Sequence, residues 1–273
     1  MHSESKGGRW FNLFWLLPVL LLYAVGLIFP LSITVQRAIE HGLQGWGKLF
    51  SNSLFTGAAS NTLYDSSLIM VVSVVLAYSV AAAIWRSGPM TRTVLIAIVV
   101  ITFWLTVLVK IVAFNSLLRD NGVINTLLIH FGFIDTPIRM FPGRVAMIVG
   151  MIQFALPFAI FPILGVMLKL DRQLEKAAES LGGSRISVFI HVTLPLTLPG
   201  IIASALLVFV ICTGFYVIPA TLGAPRDQLL ANIVALYALE LLDFKTASSI
   251  GVILIILVGF LTVLYQRAES KVK

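Results

Sequence analysis

Residues 170–199 read LDRQLEKAAESLGGSRISVFIHVTLPLTLP, the longest charged segment of a chain otherwise dominated by apolar runs. Within it Leu174, Ala177, Ala178 and Leu181 recur at helical spacing and share one face, while Arg172, Gln173, Glu175, Lys176 and Glu179 take the other. Asp171 is placed to cap this helix, and Gly182-Gly183 to end it, because glycine enters the left-handed cap conformation without penalty. Ser184 is placed to cap a second helix through Ser187, Val188 and His191, which Pro195 is expected to stop. The apolar face of the first helix has two destinations: back onto its own membrane domain, or into a soluble partner. Periodicity leaves both open.

On either side of this segment the composition is that of a membrane protein. Of 273 residues 59% are apolar and only 11% charged, and the mean hydropathy is +1.00. So little charge cannot cover a water-facing surface of that length. Six runs reach the ~20 residues needed to cross a bilayer: Phe11–Val35, Leu63–Trp85, Thr93–Leu118, Val145–Leu168, Gly200–Leu222 and Ala247–Tyr265. The first is too long for a signal-peptide core and is not followed by a small-residue cleavage site, so it is expected to be the first span. The fold expected is all-α with six transmembrane helices (residues 11–266), flanked by tails at 1–10 and 267–273.

Orientation follows the distribution of Lys and Arg in the short loops. With the N-terminus inside, eleven fall on the inner side (Arg86, Arg92, Arg172 and Lys176 among them) and seven on the outer, including Arg119, Arg144 and Arg226. Both termini and the loop 169–199 are thereby expected on the cytoplasmic side. The net charge of +7 lies at the ends of apolar runs, where it reads as a topology signal rather than a nucleic-acid surface. Cys212 lies inside an apolar run and, being alone, excludes an intrachain disulfide.

Several function classes are poorly supported. No Asp or Glu lies inside a span, Asp65 being at the lip of the second, and all four histidines fall in tails or loops. Ion-coupled carriers commonly need such a group, so a secondary carrier of organic cations is the weaker alternative. There is no H-E-x-x-H and no G-x-S-x-G. Gly42–Lys48 mimics a phosphate-binding loop, but Leu49 stands where a Ser or Thr must hold magnesium. The chain is expected to bind neither ATP nor metal.

Intramembrane candidates for a solute pathway are Lys110, Gln153, Thr213 and Tyr216. Lys110 lies about 26 Å along a straight third helix, near the outer surface, where it could snorkel or pack against a neighbour. Pro157 and Pro162 are expected to interrupt the fourth span, and Gly214 and Pro219 the fifth. Helix packing explains the same polar residues equally well.

The loop 169–199 resembles the EAA motif of permease subunits in binding-protein-dependent ABC importers, E-A-A, three residues, G, nine residues, I-x-L-P. It aligns as Lys176-Ala177-Ala178, Gly182, then Val192-Thr193-Leu194-Pro195 with every spacing kept. Lysine replaces the motif's glutamate, with Glu175 beside it, and valine replaces isoleucine. Asn61-Thr62-Leu63, and Thr102-Phe103-Trp104 through Asn121–Asn125, are similar to the second span, third span and outer loop of such permeases, while Gly132–Arg139, Leu156-Pro157-Phe158 and Phe215–Gly223 resemble their spermidine/putrescine-type branch. The family often has a tryptophan near the last span, where this chain has Leu242-Asp243-Phe244. The resemblance implies that Leu174, Lys176, Ala177, Ala178, Leu181, Gly182, Val192, Leu194 and Pro195 form a surface coupled to an ATPase. It further implies a second permease subunit (a homologue), two cytoplasmic ATPase subunits carrying the ATP and magnesium, and an extracytoplasmic binding protein that delivers a polyamine-like or related solute.

Overall fold

The computed structural model describes residues 17–270, so the expected N-terminal tail and the start of the first span lie outside the described residues. The chain forms helices α1 (Leu17–Glu40), α2 (Gly42–Ser51), α3 (Ser53–Arg86), α4 (Pro89–Trp104), α5 (Val107–Leu118) and α6 (Val123–His130). There follow α7 (Arg144–Met167), α8 (Gln173–Ser180), α9 (Arg185–Gly214), α10 (Val217–Leu222), α11 (Leu230–Glu240) and α12 (Phe244–Ser270). Five helices are long and apolar enough to cross a membrane, and a sixth span exists if the bent pair α4 and α5–α6 is counted as one. The helices fall into two compact units. One is built from the chain up to Asn52 with Val234–Ile253, the other from Ser53–Ile233 with the chain from Leu254 onward.

The larger unit is organised around α3, α7 and α9. Each turns a stripe of mostly small residues inward: Thr62, Ser66, Ser73, Ala77 and Ala81 on α3, Gly150, Ala155 and Ala159 on α7, Thr197, Gly200 and Ser204 on α9. In a bilayer no hydrophobic force draws helices together, so association relies on close van der Waals approach, which small residues permit. Gly200 marks the tightest crossing. A β-carbon there would meet the carbonyl of Pro162 at 3.0 Å and Ile163 Cα at 3.1 Å. Met147, Met151, Ile163 and Met167 fill the remaining space without exposure. Cys212 is buried beside them, as its apolar surroundings imply.

At one end of this unit Asp65, with no exposed surface, pairs with Arg144 at 2.7 Å, and Asn61 bonds to the carbonyls of Arg226 and Gln228 at 3.0 and 3.3 Å. At the other end Arg86 meets the loop that carries α8. Charges assigned to the same side by loop counting therefore do meet at the same end.

Several expected boundaries need correction. The second helix opens at Ser53, ten residues before Leu63, because Ser53–Thr62 continues the helix beyond the apolar run. The third run is not straight: Leu105 and Thr106 adopt extended backbone, and the stretch Val107–His130, α5 with α6, leaves α4 at 93°. No proline or glycine marks this elbow, and α5 packs across α7 and α10. The fourth span runs through Pro157 and Pro162 as one helix. The fifth begins at Arg185 rather than Gly200 and ends at Gly214, with Phe215 extended before α10.

Pro195 does not stop the helix that Ser184 caps. A wide π turn, Phe189–Thr193, precedes it, and Leu194 N–H reaches back to Phe189 rather than to the carbonyl four residues behind. The widened turn lies directly ahead of Pro195, which has no N–H to give and stays inside the helix. α1 repeats the arrangement, with a π turn at Ala24–Ile28 two residues before Pro30.

In the smaller unit, Gly42 at φ +68° turns α1 into α2. Trp46 donates to the carbonyl of Ala38 at 3.1 Å, and His41 Nδ1 lies 2.8 Å from Ser249 Oγ. The phosphate-loop mimic is thus a helix, and a β-carbon on Gly45 would run into the His41 imidazole. Asp243 begins α12 by accepting from Thr246 N–H at 3.1 Å and Thr246 Oγ1 at 2.6 Å. Burial opposes its charge, but these bonds, the charge of His41 and the Lys245 amide outweigh it and hold the carboxyl below the usual carboxylate range.

Two outcomes follow from these contacts. Gly200→Leu is expected to cost about 1–3 kcal/mol by overpacking, read as a lower Tm in detergent, whereas Gly214→Ala, with open space around it, is not. Because the folded carboxyl of Asp243 titrates below its unfolded value of about 3.9, its contribution is complete above that pH and fades as pH falls through the lower folded value. Asp243→Ala is expected to remove about 0.5–2 kcal/mol of capping at pH 7, and its Tm should converge on that of the parent in acid.

Candidate functional site

α8 stands at the end of the larger unit where α3 finishes and α9 begins. Asp171 caps it by accepting from Gln173 N–H at 2.9 Å. Its C-terminus closes with Gly182 at φ +90°, Gly182 N–H bonded to Glu179 O at 3.0 Å and Gly183 N–H to Ala178 O at 3.1 Å. That double bond pattern is the Schellman closure expected of the glycine pair. A β-carbon on Gly183 would strike Ala178 O at 2.9 Å, so both glycines are required for different reasons. Ser184 then caps α9 by accepting from Ser187 N–H at 3.2 Å.

The predicted apolar face of α8 does not fold back on the bundle. Leu181 is 90% exposed and Leu174 47%, with Ala177, Lys176 and Gly182 exposed beside them and Ala178 half-buried. Val192, Leu194 and Pro195 lie on α9, the first two half-buried and Pro195 exposed. The nine residues named from the sequence are therefore divided between an outward surface on α8 and the first turns of a span.

Glu175 holds α8 to the bundle and was not among those nine. Its Oε1 accepts from Thr193 Oγ1 at 2.6 Å and from Arg86 Nη2 at 3.2 Å. Arg172 donates to the carbonyl of Arg86 at 3.3 Å, and both guanidiniums lie about 6 Å from the Trp85 ring. A groove of about 500 Å³ runs beside these groups, lined also by Glu179, Arg185 and Phe189. The signal available in the sequence was the position of Glu175 next to the substituted Lys176; its partner is 89 residues away.

Of the intramembrane candidates, Lys110 lies on α5, Gln153 on α7, Thr213 on α9 and Tyr216 between α9 and α10. Lys110 does not snorkel: the elbow turns its helix inward, leaving it 7% exposed with Nζ 5.7 Å from the Phe154 ring centroid. Phe154 in turn lies 4.4 Å from Phe215. Gln153 Oε1 is buried with no partner, one turn before Pro157, which has no N–H to offer the Gln153 carbonyl. Thr213 is satisfied within its own helix by Phe209 O at 2.8 Å, as helix packing requires. Tyr216 is 43% exposed, and its carbonyl accepts from Asn232 at 3.1 Å. No cluster of His, Cys, Asp or Glu able to hold a metal occurs among the described residues.

Known proteins resemble this chain along nearly its whole length. The spermidine/putrescine transport system permease protein PotB of Haemophilus influenzae is 31% identical over 270 residues, 96% of this chain and 91% of that protein. PotB of Escherichia coli is 28% identical, covering 95% and 94%. The putative 2-aminoethylphosphonate transport system permease protein PhnU of Salmonella typhimurium is 29% identical, covering 95% and 93%. No protein-family profile matches the chain. Among solved structures, a chain of a bacterial alginate ABC transporter superposes with a TM-score of 0.83 at 16% identity, covering 97% of this chain and 96% of that one. A chain of the inward-facing MetNI methionine ABC transporter gives 0.60 at 20% identity, covering 81% and 96%. At those identities the structures show a shared fold.

Lys110 has no carboxylate within ion-pair distance among the described residues. A buried ammonium without a carboxylate partner carries an uncompensated desolvation cost, which an apolar side chain of similar length does not. Lys110→Met is therefore expected to leave the Tm in detergent unchanged or raise it; a fall of several degrees would show that the ammonium itself holds α5 to α7.

Proposed function

Since this chain belongs to the permease subunits of binding-protein-dependent ABC importers, in the spermidine/putrescine-type branch, we propose that the exposed face of α8 is where an ATPase subunit engages it. The chain is a multi-pass membrane transport subunit and not an enzyme. The observation that carries the proposal is the apolar surface of Leu174, Ala177 and Leu181, directed away from the bundle on a doubly capped helix. Covering Leu181 and the exposed half of Leu174 in a partner would contribute about 2–4 kcal/mol, enough to hold a subunit that must also release. Loop charges favour the cytoplasm for this end of the molecule, where ATP is available.

In this reading two ATPase subunits bind a pair of permeases, this chain and a homologue, on one side. An extracytoplasmic protein delivers solute on the other. ATP and magnesium belong to the ATPase subunits. The solute is a small organic amine, polyamine-like or related: spermidine, putrescine and 2-aminoethylphosphonate, the compounds in the relatives' names, all carry an amine. Membership of this family sets aside the ion-coupled carrier.

Leu181→Glu, in a surface that already lies in water, is expected to leave the chain folded and to weaken co-purification of the ATPase about ten- to a hundredfold. ATP-dependent uptake into proteoliposomes should fall with it while the external protein still binds solute. Undiminished uptake by Leu181→Glu and Ala177→Trp would reject the docking face, and uptake driven by an ion gradient without ATPase would reject the energy source.

A further inference from the structure

Glu175 is on the opposite side of α8 from the surface offered to a partner, and it touches two spans. The single oxygen Oε1 takes a hydrogen bond from Thr193 at 2.6 Å and an ion pair from Arg86 at 3.2 Å. Arg86 is the last residue of α3. Thr193 is the last residue of the π turn in α9, 3% exposed. α3 and α9 also meet directly in the core, each packing on α7. One carboxylate thus ties a short surface helix to two of the three helices on which the bundle is built.

The covalent links of α8 are poorly suited to passing on a push. On one side residues 168–172 form a turn, and on the other Gly182 at φ +90° and Gly183 make a tight reversal without side chains. The carboxylate contacts act as a cross-brace. The ion pair itself adds little to folding, its arginine being 53% exposed. The value of the contacts is direction, because any displacement of α8 along its axis must either carry the ends of α3 and α9 with it or break the shared bonds.

We propose that Glu175 is the positioning residue through which α8 moves α3 and α9, so that ATP hydrolysis is converted into solute movement. The proposal rests on the assignment of α8 as the ATPase-engaging helix. The threonine makes the link specific: it anchors the carboxylate at the π turn from which α9 continues through Pro195. Arg172, donating to the Arg86 carbonyl, fixes the end of α3 against the same point.

The test uses the full assembly reconstituted in proteoliposomes, reading solutes imported per ATP hydrolysed together with the amount of ATPase that co-purifies. Glu175→Ala is expected to retain ATPase binding and hydrolysis and to lower the import ratio about tenfold, the size of effect typical of a lost coupling contact. Thr193→Val should lower the ratio severalfold, and Glu175→Gln, which keeps an acceptor for Thr193, less than Glu175→Ala. The charge exchange Glu175→Arg with Arg86→Glu should recover part of what either single change loses. A purely structural role predicts import and hydrolysis falling together with the ratio unchanged, and that outcome overturns the proposal. So does loss of co-purified ATPase by Glu175→Ala comparable to that of Leu181→Glu, which would place Glu175 in the docking surface. Should Glu175→Ala fail to accumulate, Thr193→Val and Arg86→Gln decide by the same ratio. A parent assembly that holds no ATPase at all overturns the reading of α8 beneath the proposal as well.

Discussion

The close crossing of α3, α7 and α9 is the constraint on which the remainder of the molecule rests. In lipid the apolar faces of these helices gain nothing from leaving solvent, so they must approach until backbones touch. Gly200 against the Pro162 carbonyl is where that approach is tightest. The same crossing joins α7, freed of two hydrogen bonds by proline, to α9, in which a π turn precedes Pro195. Backbone groups released by proline are tolerated in such helices because neighbours surround them. The bundle core and its apparent imperfections are therefore one arrangement.

From this core the ends of the helices acquire distinct chemistry. At one end Asp65 and Arg144 form an ion pair with the carboxylate wholly buried and the guanidinium partly in solvent. At the other, Glu175 joins α8 to α3 and α9 through bonds that are short but partly solvated. The first is costly to break because a bare carboxylate would remain inside protein. The second has its guanidinium largely in solvent, so its ion pair adds little stability. A rigid three-helix centre with a braced but outward-facing α8 is the form expected of a subunit driven by an ATPase it does not contain.

Much of this was legible residue by residue. The caps of α8 and α9 were, because Asp171, Gly182 and Ser184 act on backbone groups within a few positions of themselves. The apolar stripe was, because Leu174, Ala177 and Leu181 are spaced by about one helical turn each. The elbow at Leu105-Thr106 was not: neither residue forbids a helix, and the bend is supported by α7 and α10, which are distant in sequence. Lys110 was misplaced for that reason alone, since a straight helix carries it outward and a bent one carries it under Phe154. Pro157 and Pro162 read as breaks but are spanned, because the cost of their missing bonds depends on surrounding helices.

The order of residues by itself determined what local physics controls: six apolar stretches, the charge asymmetry between their connections, and the capped amphipathic helix. Tertiary structure alone decided where those pieces act. It chose the outward destination of the α8 face, bent the third stretch, carried α9 through Pro195, and brought Glu175 to Arg86 and Thr193. Those outcomes are contests between groups far apart in the chain, with energies set by distance and burial, and neither quantity exists until the helices have packed.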